Sequence, residues 1–125
     1  MPAERNPSPK PIAEWQDAFD FVEQVRLRPG MFVRNGSVQE LSTMLFGYSV
    51  ALLVHGVDEE FVFDPAGGPF AQWLSHEYGW SMATGWARAI EHYLPDELPL
   101  EAFFRLLDEF RASVASQPEP SLEAH

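Results

Sequence analysis

Apolar residues recur along this chain mostly at spacings of three and four, the period of a helix face. Between Ala13 and Leu27 that face is Trp15, Phe19, Val22 and Val25, with Asp17, Asp20, Glu23 and Gln24 falling largely elsewhere. Pro29 disfavours helical backbone at Arg28, so the first helix is expected to stop there. Pro29-Gly30 then suits a type II turn with glycine at positive φ. Ser37-Val38-Gln39-Glu40 has the capping-box spacing and predicts the start of a second helix. Val38, Leu41, Leu45, Tyr48 and Leu52 form its stripe. Met44, Phe46, Val50, Ala51, Leu53 and Val54 make most of the remaining circumference apolar. A helix apolar nearly all round is usually buried on every side, so this is the expected central helix, closed by Gly56.

Glu59 to Pro65 carries Phe61-Val62-Phe63, three residues ended by Asp64-Pro65. That is short for a strand and reads as an extended loop packing one or two phenylalanines. Pro69 is placed to open a third helix with Phe70, Trp73 and Leu74, ended by Gly79. Ser81 is placed to cap a fourth, with Met82, Trp86, Ala89, Ile90 and Tyr93 on one face. Pro99 opens a fifth, with the stripe Leu100, Phe103, Leu107, Phe110 and Val114. The expectation is an all-α protein: a compact bundle of about five helices in a single domain over 12–115. Polar, proline-bearing segments at 1–11 and 116–125 read as flexible tails.

Charge narrows the function. The 125 residues hold 19 acids against 8 lysines and arginines, a formal net charge of −11. Phosphate recognition needs clustered basic residues, so neither nucleic acid nor an anionic membrane surface is an expected partner. A protein with a basic surface is a suitable one. With no cysteine, disulfides, thiolate zinc sites and thiol nucleophiles are excluded. The longest near-apolar stretch, Met44 to Val54, is too short to span a bilayer, and the N-terminus lacks the apolar core of a signal peptide. The cytoplasm is the default location.

Chemistry-bearing patterns are few. His76-Glu77 and Glu91-His92 would form a metal set if the third and fourth helices packed antiparallel. No metal-binding spacing supports this, and half-buried helix positions are the commoner meaning, so no metal and no cofactor is assigned. Gly-x-Ser-x-Gly is absent, and Gly67-Gly68 lacks the lysine of a phosphate-binding loop. Adjacent carboxylates (Glu59-Glu60, Asp96-Glu97, Asp108-Glu109) point in different directions on a helix and make no dyad by themselves. No enzymatic activity is expected. Arg26, Arg28 and Arg34 bracket the Pro29-Gly30 turn, either as cations at a helix C-terminus or as an anion site. Trp80, between Gly79 and Ser81, is either a plug in the core or an exposed contact. Asp58, Glu59, Glu60 and Asp64 form an acidic run in the least regular segment, and Asp96, Glu97 and Glu101 form another at the next turn. They either serve solubility or, brought together, make a docking face for a basic protein. The candidate partner-binding residues are therefore Asp58, Glu59, Glu60, Asp64, Trp80, Asp96 and Glu97.

Two resemblances bear on this. Val25-Arg26-Leu27-Arg28-Pro29-Gly30-Met31-Phe32-Val33 is locally similar to an Arg-Pro-Gly-Met segment of the type II topoisomerase ATPase region. The catalytic Glu and metal-binding Asn of that family have no counterpart in Leu41 to Tyr48, so ATP hydrolysis is rejected. A longer pattern runs from Phe21 to Ser113. It comprises the Arg-Pro-Gly-Met-Phe turn, Ser37-Val38-x-x-Leu41, Phe46-Gly47-Tyr48, Phe70 with Trp73, Ser81 to Trp86, and Phe103-Phe104-x-Leu106-Leu107-Asp108-Glu109-Phe110. It resembles a mostly uncharacterised family of small acidic bacterial proteins, some of which are similar to immunity proteins of polymorphic toxins. Arg34 stands where glycine is more usual in that pattern. The resemblance implies a binding protein rather than an enzyme and identifies no toxin; the leading expectation is an immunity-type protein that binds and neutralises a cognate toxin domain. The alternative is a non-catalytic intracellular scaffold or regulatory domain, dimerising through an aromatic helix face.

Overall fold

Asp17 adopts extended backbone and its carboxylate accepts the amide of Asp20 at 3.1 Å. This cap starts α1 (Ala18–Leu27) later than the hydrophobic period suggests. A short 3-10 turn at Ile12–Glu14 precedes it, and the two are separated because the Asp17 side chain competes with the backbone for the first amides. The computed structural model describes residues 8–116, and the rest of the expected tails lies outside that range. Ser8 to Lys10, expected to be loose, are fastened to α1. Buried Gln24 donates to the Ser8 carbonyl at 2.9 Å and accepts the Lys10 amide at 3.2 Å.

Pro29–Met31 is a 3-10 turn in which Phe32 and Val33 both donate to the Pro29 carbonyl. Gly30 is not among the glycines at positive φ, so the expected type II turn does not form. Helix α2 (Val38–Val54) starts as expected: the Ser37 hydroxyl accepts the Glu40 amide at 3.1 Å. The Glu40 carboxylate reaches further back than a capping box requires and accepts the Arg34 amide at 2.8 Å. Gly56, at φ 63°, closes the helix, with Val57 donating to the Leu52 carbonyl. That left-handed position is one glycine takes without penalty.

Helices α3 (Pro69–Tyr78) and α5 (Pro99–Ala115) start and stop where the prolines and Gly79 indicate. Helix α4 (Trp86–Tyr93) starts four residues later than a Ser81 cap would place it. Ser81 caps no helix; its hydroxyl accepts the amide of Ala83 in a local turn. No strand occurs among the described residues, so the fold is all-α with five helices.

The central helix is α5, not α2. Leu100, Phe103, Phe104, Leu106, Leu107 and Phe110 are all buried, and α2, α3 and α4 each pack against α5. Phe70 lies 5.7 Å from Phe103 and 5.5 Å from Phe110, both edge-on, and Trp86 stacks on Phe103 at 5.0 Å. Edge-to-face and offset contacts at these distances are the favourable aromatic geometries. Of helix α2 only Val38, Leu41 and Leu45 are buried, with half-buried Tyr48 packed against the edge of this core.

Candidate interaction surfaces

The segment between α2 and α3 is extended and anchored at several points. Phe63 is 2% exposed and meets Phe19, Phe70, Trp86 and Phe103 with ring centroids 5.5–6.3 Å apart. The Trp86 indole donates to the Phe63 carbonyl at 3.0 Å, and the Trp86 amide donates to the Pro65 carbonyl. Gly68 is needed for close approach: a Cβ there would lie 2.8 Å from the Asp64 amide nitrogen. Phe61 stacks on Tyr48. The loop thus packs its phenylalanines as the sequence suggests.

Within this segment the four acids part company. Glu59 is half-buried; its carboxylate accepts the Ala18 amide at 3.0 Å and the Tyr48 hydroxyl at 2.7 Å. It therefore fastens the loop to α1 and α2 and serves a structural end. Burial, and then this bond to Glu59, pushes the Tyr48 hydroxyl well above the ordinary phenol range. Asp58, Glu60 and Asp64 are exposed and form no ion pair among the described residues.

The second acidic run is elsewhere. Glu60 lines a shallow cavity with Phe110 and Val114, near the C-terminal end of α5, whereas Asp96 and Glu97 directly precede its N-terminus. At 1.5 Å per residue the two runs are roughly 20 Å apart along the helix, so they do not merge into one face. Glu97 is also engaged, accepting two bonds from Arg105 at 2.8 and 2.9 Å. Asp96 is exposed. Trp80 is 8% exposed, held between Tyr78 at 5.2 Å and Tyr93 at 5.0 Å, both stacked. Its indole therefore fills the fold and presents little surface to a partner.

The arginine cluster is dispersed. Arg26 makes a two-pronged ion pair with Asp108 at 2.9 and 2.7 Å and lies over the Phe104 ring. Arg28 and Arg34 are exposed. His76, Glu77, Glu91 and His92 do not assemble, since no three His, Asp or Glu side chains converge as a metal site among the described residues. His125 lies outside them. No helix among them is long and apolar enough to cross a membrane.

The feature that the sequence reading missed is the outer face of α2. Met44, Phe46, Val50, Leu53, Val54 and Val57 are exposed, Leu53 at 82% and Val54 at 71%. No acid, lysine or arginine occurs between Glu40 and Asp58. That charge-free run, in a chain of net charge −11, is the sequence signal for this face, and it is equally compatible with a helix buried on every side. Beside the N-terminal half of α2, a groove of about 850 Å³ is lined by Met31, Phe32, Arg34, Gln39, Thr43 and Met44, among others. Comparisons with protein-family models, curated proteins and solved structures found no match.

Proposed function

We propose that this chain is a non-catalytic binding protein of the immunity type, whose acidic loop covers the basic cleft of a toxin domain. One observation carries the reading. Asp58, Glu60 and Asp64 face outward from a loop that Glu59, Phe61 and Phe63 hold rigidly against the helices. Acids fixed before contact lose little freedom on binding, and a net charge of −11 steers a basic partner toward them. Buried Trp80 and ion-paired Glu97 take no part in this surface, and Asp96 lies too far away to share it.

The test is co-expression with the toxin domain encoded by the neighbouring reading frame. Growth rescue with a stable one-to-one complex is expected. Glu60→Lys with Asp64→Lys is expected to slow association by about tenfold or more at low salt, with the difference shrinking at high salt. Rescue and association rates indifferent to this double reversal would overturn the acidic-loop reading. A second reading, the homodimeric scaffold, is favoured by the exposed apolar face of α2.

A further inference from the structure

The outer positions of α2 follow a seam. Thr43, Phe46 with Gly47, Val50, and Leu53 with Val54 recur at alternating three- and four-residue steps, the spacing by which two helices interlock, and Val57 follows beyond the Gly56 turn. The seam lies opposite Leu41 and Leu45, so the fold leaves it without an intramolecular partner among the described residues. Gly47 adds a place for close approach, with nothing within 4 Å of where its Cβ would stand.

We propose that the occupant of this face is a second copy of the chain, with the two α2 helices antiparallel about a two-fold axis near Val50. This rests on the homodimeric reading and leaves the toxin question separate. Three observations select a second copy. The six exposed apolar side chains of α2 and the turn after it present roughly 600 Å² per copy, so complete pairing would bury at most about 1,200 Å², which only reaches the lower bound of stable interfaces. The face carries no charge, and it is where two chains of net charge −11 meet with least repulsion. It is also self-complementary. The two most exposed knobs, Leu53 and Val54, are at the C-terminal end, and the groove lined by Met31, Thr43 and Met44 is at the N-terminal end.

Only the antiparallel arrangement joins the knobs of each copy to the groove of the other. It also brings Asp58, next to Val57, toward exposed Arg34 of the second copy. The parallel arrangement would instead set two acidic loops side by side. Antiparallel about Val50, the C-terminal ends of the two helices, where those loops begin, stand roughly 12 Å apart along the axis, beyond the screening length of roughly 8 Å at physiological salt. Glu60 lies on the α5 side and stays outside the seam.

Sedimentation velocity of the whole chain at about 50 μM is expected to give twice the chain mass, a range in which interfaces of this size associate. Val50→Glu is expected to give the single-chain mass with unchanged helicity. Leu53→Lys, at an 82%-exposed position, serves in the same way should the first variant fail to fold. Because the chain has no cysteine, Phe46→Cys and Val54→Cys, which a two-fold at Val50 sets opposite each other, can be mixed and oxidised. The heterodisulfide is expected. A monomeric wild type, a dimer indifferent to both charge substitutions, or a predominance of the two homodisulfides would each overturn the proposal. Glu60→Lys with Asp64→Lys is expected to keep the dimer, so failure of the seam and failure of the acidic loop are read separately.

Discussion

Replacing Phe63 by alanine tests whether the acidic loop is part of the rigid core. Phe63 is 2% exposed and borders Phe19, Phe61, Phe70, Trp86 and Phe103. Losing the ring removes a transfer contribution of roughly 2 kcal/mol. A residual cavity of about 100 Å³, at about 24 cal/mol per Å³, adds roughly another 2 kcal/mol. The total of about 4 kcal/mol is a large share of the 5–15 kcal/mol typical of a domain. With a urea dependence of about 1.5 kcal/mol per molar, the unfolding midpoint is expected to fall by roughly 2.5 M. Phe63→Leu, which keeps most of the volume, is expected to cost about 1.5 kcal/mol or less. The assay is urea unfolding followed by tryptophan fluorescence and by circular dichroism in parallel. A Phe63→Ala midpoint within about 0.5 M of wild type would refute the anchored loop and, with it, the preorganised acids.

Gly68→Ala is expected to cost roughly 1–3 kcal/mol in the same assay, because the new methyl would crowd the Asp64 amide at 2.8 Å; a neutral result would mean that this backbone approach is looser. Tyr48→Phe is expected to cost about 1 kcal/mol by removing the hydroxyl donated to Glu59, and an unchanged midpoint would count against Glu59 as the loop's fastening. The Gln16 amide bond, foremost, holds the Asp20 carboxyl below the usual carboxylate range. Its contribution is therefore present above the unfolded-state value near pH 4 and lost as pH falls through the lower folded value. Asp20→Asn is expected to flatten stability against pH in that acid window, and an unchanged acid limb would refute the assignment.

The sequence by itself determined the helices and most of their ends. The Ser37 cap, the Gly56 and Gly79 stops and the helix-opening Pro69 and Pro99 act through bonds within a turn or two, so local chemistry suffices to place them. The failures at the other starts share a cause. Asp17 and the turn at Ser81 hold amides with side-chain bonds that hydrophobic spacing does not register. The acidic residues were legible as a set, but their division was not. Glu59 is consumed by Ala18 and Tyr48, and Glu97 by Arg105, through contacts that depend on how helices meet.

Only the tertiary structure decided which apolar helix takes the centre. Two helices competed for it, and a domain of this size encloses one such position. Phe103, Phe104 and Phe110 on α5 fill it together with Phe63, Phe70 and Trp86, partners that come from three other parts of the chain. Helix α2 is displaced to the rim, with Val38, Leu41 and Leu45 inward and its second apolar face outward. Periodicity reports how many faces of a helix are apolar. Which of them finds a partner within the chain is settled by the volumes and contacts of residues distant in sequence.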